Sequence, residues 1–515
     1  SIDSAFNNPS FLSFIFFSDD SKKIILSYAN GAILLMPIDG NLKDIKEFKG
    51  HKNYIIQTRF TKDGKYIVSA SADQTCKVWD VEKNTCLYTF FKTDLDNYLV
   101  YDDKGRFDGT PAARKLLYFT CGTEVIELDQ LKDQLWVPNL AERIMKGETI
   151  NSKTLDELNI CGLTPETETM EGAGNEYRFK ITPRRGGLGE TILFVNDIEA
   201  KRYTPATLKK IDTTYELLVN KEQLSNYFIA GQENKVSIKA YTADNAISSR
   251  GIVINEDQSK KIAAVPNLYA VMVGVSKYKG EELDLKYAAK DATDLSAVIS
   301  NAAKKLLNND GKEHVFMYNL TTANERYQLP EKNSIKKVLE EIGKKAMAND
   351  ILLIFFAGHG VMEGDKKQFY FLTADASKAS ATDAIADVGI STNELSEWIK
   401  PQNIKAQKRI LIFDACNSGQ AINDFVNIGK SDQNYMAARN DDKSQQIKAI
   451  DKLNEKSGLF ILSASSSNQS AYEMGRYSQG LLTYALLKAI KQQPDILEDG
   501  KFLNCLLYTS DAADE

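Results

Sequence analysis

The stretch Ile351-Leu352-Leu353-Ile354-Phe355-Phe356-Ala357-Gly358-His359-Gly360 decides the fold of the C-terminal half of the chain. Its uncharged apolar run predicts a strand buried on both faces, as in a parallel sheet. A second run, Arg409 to Phe413, ends at Asp414-Ala415-Cys416. Because side chains at the carboxyl ends of parallel strands meet at one edge of a sheet, His359 and Cys416 are expected to lie close together.

Strands and helices alternate on both sides of these two runs. The predicted strands are 268–275, 315–320, 351–357, 409–413 and 459–462, with a side hairpin at 369–372. The predicted helices are 287–307, 334–347, 392–399 and 481–490. This alternation predicts an α/β domain with a mainly parallel sheet, covered by helices on both faces.

Cys416 and His359 together suggest nucleophilic catalysis. A thiol attacks an amide at neutral pH only with a base beside it or a lowered pKa. Backbone N–H groups, here those of Gly360 and Cys416, can stabilise the oxyanion that forms. Taken singly, a cysteine after a strand is more often a packing residue and a histidine more often structural. His314, at the start of another predicted strand, is interpreted as structural.

The motifs around the pair resemble those of caspase-like peptidases, a family that includes caspases, metacaspases and their bacterial relatives. The matching segments are the strand Tyr269–Val275 and the turns at His359 and Cys416, and the resemblance covers about 267–504. It implies a cysteine endopeptidase that acts on proteins or peptides without a cofactor. The alternative is a catalytically inactive caspase-like and WD-repeat scaffold for protein–protein interaction.

Two carboxylates suggest the specificity. Caspases carry Gln two residues before the nucleophile, whereas this chain has Asp414 there, as metacaspases do. Asp291, in Lys290-Asp291-Ala292, resembles the metacaspase acid that joins the specificity pocket. The resemblance implies that both acids bind the Lys or Arg before the scissile bond, since paired carboxylates suit a guanidinium. Alternatively, Asp291 caps its helix and Asp414 orients its loop.

Further contacts are implied by the same resemblance. Ser463 and Ser465 resemble residues that border the substrate groove, and we expect them to bind substrate. The polar stretch 420–457 resembles a linker between large and small subunit portions. It is predicted to be cleaved by the enzyme itself, with an uncleaved solvated loop as the alternative.

No metal site is predicted. Metacaspases often hold calcium with an Asp-rich cluster, but the comparable helix starts Ser391-Thr392-Asn393-Glu394 and has no Asp pair. Calcium needs several oxygen ligands. Asp383, Asp387 and Asp424 are left as candidate ligands, and calcium is not predicted.

The N-terminal segment, 1–93, is β-rich and resembles the last blades of a WD-repeat propeller. Gly50-His51 opens a repeat and Val78-Trp79-Asp80 closes it. The resemblance implies a structural hydrogen-bond network of His51, Asp73 and Trp79, and a surface for a protein partner. Two blades cannot close a propeller, so further blades are expected upstream.

The remaining domains are assigned from patterning. Residues 94–148 are predicted to form a connector with a helical tail, and 149–262 an immunoglobulin-like β-sandwich that lacks the Cys-Trp-Cys pattern of antibody domains. The peptidase domain is placed at 263–504 and expected to be C-terminally incomplete. Residues 505–515 resemble a translated sequencing adapter.

Bulk composition narrows the function. The net charge is −6 with both signs dispersed, which argues against nucleic-acid binding. No apolar run reaches the roughly 18 residues that span a membrane. Six separated cysteines without a CxxC pair predict no disulfide framework or zinc site. They favour a cytoplasmic, reducing location, although a signal lost upstream of Ser1 stays open.

Overall fold

The computed structural model describes most of the chain. The described residues are 11–39, 44–122, 124–171, 174–363, 368–377, 385–428, 458–465, 473–474, 478–492, 497–498 and 502–503. Several predicted features lie outside them: Asp383, the tail 505–515, and the linker cleavage candidates Lys430, Arg439, Lys443, Lys448, Lys452 and Lys456. Among the described residues, no helix is both long and apolar enough to cross a membrane.

Two antiparallel sheets form the N-terminal part. The first contains β1 Leu12–Phe17, β2 Lys23–Tyr28, β3 Ile33–Pro37 and β4 Lys46–Phe48. The second contains β5 Ile55–Phe60, β6 Tyr66–Ser71, β7 Cys76–Asp80, β8 Thr85–Lys92, β9 Tyr98–Tyr101 and β10 Phe107–Gly109. Ile33 and Phe48 of the first sheet share one buried core with Ile67 and Trp79 of the second. The two sheets therefore pack as neighbouring blades.

The hydrogen-bond network expected of a WD repeat is present in the second blade. His51 Nδ1 lies 2.9 Å from Asp73 Oδ2, and His51 Nε2 lies 2.8 Å from Ser69 Oγ. Trp79 Nε1 donates to the same Ser69 hydroxyl at 2.8 Å. Burial lowers the pKa of His51, although its bond to Asp73 acts in the opposite direction. The prediction that His51 is structural is confirmed.

The connector contributes to the blade and carries a disulfide. β9 and β10 extend the second sheet past residue 93. They are followed by a hairpin and short helices: α1 Pro111–Arg114, β11 Tyr118–Cys121, β12 Glu124–Glu127, a 3₁₀ turn Leu128–Leu131, α2 Lys132–Leu135, α3 Leu140–Met145 and α4 Leu155–Leu158. Cys121 and Cys161 are bonded to each other, a pair that the sequence did not predict. The two cysteines are 40 residues apart in sequence, but the hairpin and the turn at residue 161 are adjacent in space. Gly162 N–H, for example, donates to the Glu124 carboxylate.

Residues 166–257 form a β-sandwich. One sheet has the order β13 Glu166–Met170, β14 Glu176–Thr182, β18 Thr214–Asn220, β17 Lys209–Ile211. The other has the order β16 Ile198–Tyr203, β15 Thr191–Val195, β19 Glu233–Ala240, β20 Ile252–Asp257. Their inward side chains share one core that contains Phe179, Leu193, Leu217 and Val236. The sandwich is as expected, and its immunoglobulin-like character stays a prediction.

The C-terminal part is built on a five-stranded, fully parallel sheet. Its strands, in spatial order, are β22 Val315–Thr321, β21 Leu268–Gly274, β23 Ile351–Gly358, β27 Lys408–Ala415 and β28 Leu459–Ser463. The main helices are α5 Ala288–Leu307, α6 Lys332–Lys345, α7 Ile385–Val388, α8 Thr392–Ile399, α9 Ser418–Ile428 and α10 Leu481–Gln492. Separate cores on the two faces confirm the predicted parallel α/β arrangement.

Smaller elements surround this sheet. A three-stranded sheet is formed by β24 Gly360–Glu363, β25 Gln368–Leu372 and β26 Gly389–Ser391. Two-residue pairs are formed by β29 Glu473–Met474 with β30 Gln479–Gly480, and by β31 Leu497–Glu498 with β32 Phe502–Leu503. The three-stranded sheet begins at Gly360, directly after His359, and contains the predicted side hairpin at 369–372.

The sandwich contacts the parallel sheet at the end opposite to His359. Gln407 Nε2, just before β27, donates to the Tyr227 carbonyl at 2.9 Å. Gly458, just before β28, has φ +60° and lies so close to Gln407 and Ile198 that a Cβ would collide with the Gln407 carbonyl. The starts of β27 and of the neighbouring edge strand β28 are therefore fixed against the sandwich.

Candidate active site

His359 and Cys416 lie at neighbouring strand ends. β23 and β27 are paired in parallel up to Gly358 and Ala415. His359 directly follows Gly358, and Cys416 directly follows Ala415. Gly360 packs so closely on the second segment that a Cβ would collide with the Cys416 carbonyl. The structure therefore brings together the two residues that the sequence singled out.

The imidazole of His359 is oriented by a backbone carbonyl. Its Nε2 lies 2.8 Å from the carbonyl oxygen of Leu283, in the 3₁₀ turn Glu281–Leu283. Because a carbonyl only accepts hydrogen bonds, Nε2 carries the proton in this contact and Nδ1 is the basic nitrogen. This tautomer suits a general base that works through Nδ1.

Cys416 sits in a tight loop between β27 and α9. The next residue, Asn417, has φ +56°, and its side chain donates to the Gly360 carbonyl at 3.3 Å. Helix α9 begins at Ser418, two residues beyond the thiol.

Gly360 is suitably placed for an oxyanion. It pairs with Phe371, and the adjacent ladder bond runs from Leu372 N–H to the His359 carbonyl at 2.9 Å. In an antiparallel ladder this makes Gly360 and Phe371 a non-hydrogen-bonded pair. The Gly360 N–H therefore points away from β25, which is compatible with its predicted role beside the Cys416 N–H.

Asp291 and Asp414 also come together. Both side chains are buried, and a Cβ on Gly480 would lie 3.1 Å from Asp291 Oδ2 and 2.6 Å from Asp414 Oδ2. Gly480 N–H donates to Asp291 at 3.0 Å. Thr483 donates to Asp414 through its hydroxyl at 2.6 Å and its N–H at 3.2 Å. Two carboxylates thus converge at the start of α10.

The two predicted substrate-binding serines lie at the end of β28 and just beyond it. Ser465 is buried, and its hydroxyl donates to the Ala415 carbonyl at 3.2 Å and accepts from Ser418 N–H at 3.2 Å. Ser463 Oγ donates to the Ser465 carbonyl at 3.3 Å. Both serines therefore support the loop that holds Cys416, and their contact with substrate stays a prediction.

Asp424 has a structural position within α9. Its carboxylate accepts from Phe369 N–H at 2.8 Å, Thr392 Oγ1 at 3.0 Å and Gln420 Nε2 at 2.8 Å. Burial raises the pKa of Asp424, although these bonds act in the opposite direction. Asp387 lies in the short helix α7. Within the described ranges, no three acidic, His or Cys side chains are grouped as metal ligands.

Sequence reasoning missed three contributors to this site. Leu283 acts through its carbonyl, which any residue type could supply, so no side-chain signal exists. Tyr278 belongs to no recognisable motif, although its hydroxyl accepts from His359 N–H at 2.9 Å. Thr483 lies in the predicted helix 481–490, and nothing in the sequence indicates that its hydroxyl faces Asp414.

The fold and site define an α/β domain with a cysteine and a histidine at adjacent ends of a parallel sheet. Residues 267–508 match the family model of the caspase domain, and residues 42–80 match that of the WD domain, G-beta repeat. Residues 267–508 therefore contain a caspase domain, and the N-terminal part contains a WD repeat.

The individual proteins that resemble this chain match only parts of it. The ribosome biogenesis protein YTM1 of Kluyveromyces lactis is 37% identical over 60 residues, which are 12% of this chain and 14% of that protein. Protein GSU0716 from Geobacter sulfurreducens shares 16% identity over 44% of this chain and 82% of its own, with a TM-score of 0.28. The computationally designed Ika4 protein shares 19% identity over 20% of this chain and 67% of its own chain, with a TM-score of 0.14. This chain spans a small part of YTM1, and such low TM-scores do not inform the fold.

Proposed function

We propose that the caspase domain is a cysteine endopeptidase with Cys416 as nucleophile and His359 as base. The observation that supports this most directly is their position on adjacent, paired strands, with the Nε2 proton of His359 donated to Leu283. A base whose second nitrogen is anchored in this way is held in one tautomer when neutral, with Nδ1 as the accepting nitrogen, and in one orientation.

The proposed reaction is that of a cysteine peptidase. Nδ1 of His359 takes the thiol proton, and the Cys416 sulfur attacks the scissile carbonyl carbon. The N–H groups of Gly360 and Cys416 donate to the resulting oxyanion. His359 then gives its proton to the leaving amine, and water hydrolyses the thioester with His359 again as base.

We also propose that Asp291 and Asp414 select Lys or Arg before the scissile bond. Support comes from the burial of both carboxylates and their convergence on Gly480, a residue without a side chain that would fill the space between them. A substrate cation can offset the cost of keeping two acids in a buried site. The same contacts suit the alternative, in which the acids only hold the start of α10.

Fluorogenic peptides that differ only in the residue before the reporter test this specificity. We expect turnover of the Arg peptide and kcat/KM at least ~100-fold lower for the Asp peptide, because an acidic side chain would be repelled by the two carboxylates. The substrates are assayed side by side with one enzyme preparation, and a Lys peptide serves as a second cationic substrate. Turnover of the Asp peptide alone would overturn the pocket, and turnover of none would favour the scaffold alternative.

Self-processing in 420–457 is proposed because this segment offers several basic residues after which the enzyme could cut: Lys430, Arg439, Lys443, Lys448, Lys452 and Lys456. Incubated wild-type protein is expected to yield two fragments by intact mass, with the new C-terminus at a Lys or Arg. Cys416→Ala is expected to keep the full mass, since the cut depends on the same thiol. Identical masses for the two proteins would remove the proposal.

The WD repeat supports a proposed role in binding a partner protein.

A further inference from the structure

One loop contacts His359 at two separate points. This loop, 276–284, comes after β21 and supplies the Leu283 carbonyl that binds Nε2 at 2.8 Å. Its Tyr278 hydroxyl accepts a hydrogen bond from the His359 backbone N–H at 2.9 Å. The loop therefore fixes both the ring and the main chain of the proposed base.

The sheet explains why the backbone of His359 needs a partner here. Ile351 N–H donates to the Asn267 carbonyl of the neighbouring segment at 2.8 Å, and in a parallel ladder every second residue repeats this bond. Continued along β23, the pattern makes His359 N–H face the side of β21. However, β21 ends at Gly274, and the chain turns into the loop. The phenolic oxygen of Tyr278 takes the place of the missing strand.

Tyr278 is itself held firmly. Its side chain is 7% exposed, and its ring centroid lies 5.3 Å from that of His359. A Cβ on Gly358 would lie 2.9 Å from the Tyr278 hydroxyl, so glycine at this position allows the close approach. Asp284 Oδ1 accepts from Tyr278 N–H at 3.0 Å, and Asp284 Oδ2 pairs with Lys277 Nζ at 2.6 Å.

We propose that Tyr278 is a positioning residue for the base. By holding the main chain of His359 beyond the end of the sheet, it keeps the imidazole between the Leu283 carbonyl and the neighbouring strand end that carries Cys416. In this role it acts through His359 and not on the substrate. The inference rests on the proposed function, because it assigns a role in the same reaction.

The substitution Tyr278→Phe tests this role with minimal change in volume. We expect kcat to fall roughly 10-fold with little change in KM, because the loss concerns the orientation of the base rather than substrate binding. Tyr269→Phe is the matched control: Tyr269 is 4% exposed, lies on β21 of the same domain, and also loses one hydroxyl. We expect its kcat to stay within about 2-fold of wild type.

Alkylation of Cys416 gives a readout that does not depend on peptide turnover. The rate of modification by iodoacetamide is followed at Cys416 by mass spectrometry, at about pH 6 and about pH 9. A well-placed imidazole sustains the reaction at the lower pH, so the ratio of the rate at the lower pH to that at the higher pH should fall several-fold in Tyr278→Phe and not in Tyr269→Phe. Asp284→Ala, which releases Tyr278 N–H, should lower the ratio in the same direction.

The outcomes separate the two proposals. If the wild-type protein cleaves no peptide, the proposed function fails, and the alkylation ratio still reports on Tyr278. An unchanged kcat and an unchanged ratio in Tyr278→Phe would overturn the positioning role. An equal loss in Tyr269→Phe would overturn it as well, because any buried hydroxyl would then have the same effect.

Discussion

Cys416→Ala is expected to lower peptidase turnover by roughly 10⁴-fold or more, since no other group in the proposed reaction forms the acyl intermediate. His359→Ala is expected to have an effect of similar size, because the thiol then lacks its base. The double variant should be no worse than either single one, since residues that act as a unit show strongly non-additive effects. The measurement is kcat/KM on the Arg peptide.

Cys76→Ala provides the control for the loss of a thiol elsewhere. Cys76 is outside the disulfide and lies in the blade strand β7, so this variant should keep full turnover. Circular dichroism and the thermal midpoint of each variant establish that the fold is retained. Retained turnover in Cys416→Ala would contradict the proposed nucleophile.

The second large effect concerns the paired acids. We expect Asp414→Asn and Asp291→Asn each to lower kcat/KM for the Arg peptide by roughly 10²-fold or more, because the cation loses a buried countercharge. An asparagine keeps an oxygen that can accept from Thr483 or Gly480, so the local hydrogen bonds survive while the charge is removed. The Lys peptide should show a loss in the same direction.

Asp294→Asn is the matched control for these acids. Asp294 lies on the same helix as Asp291, and its carboxylate pairs with Lys290 and accepts from Gln479 Nε2 at 3.0 Å. An asparagine keeps an oxygen for the Gln479 contact, and removal of this half-exposed charge should leave kcat/KM nearly unchanged. Variants of Asp291 and Asp414 that lose thermal stability but keep the full preference for Arg would contradict the specificity role. That result would assign both acids to the start of α10 alone.

Much of the fold could be predicted because the decisive strands are continuous apolar runs. Ile351–Gly358 and Lys408–Ala415 are buried on both faces, so their sequences cannot alternate, and this favours a parallel sheet over other arrangements. The positions of His359 and Cys416 could be predicted from the same pattern. Helix α9 was not predicted, because Asn417-Ser418-Gly419 is typical of a turn.

The remaining features depend on contacts between distant segments. The bond between Cys121 and Cys161 needs two turns to become neighbours, which spacing alone does not reveal. Leu283 orients His359 through a backbone atom, and Tyr278 acts only because β21 stops short of its neighbour. The extension of the second blade by Tyr98–Tyr101 and Phe107–Gly109 likewise depends on strand pairing rather than on residue type.

The contact between the sandwich and the caspase domain determines whether the two pieces stay together after a cut in 429–457. The strand beyond this segment, β28, is paired with β27 along its length, and Gly458 at its start is held against Gln407 and Ile198. A broken peptide bond would therefore leave two polypeptides that share one sheet. Such a nicked protein would behave as a non-covalent heterodimer, in which the smaller piece contacts the sandwich of the larger piece through Gly458 and enters the sheet at the end opposite to the thiol.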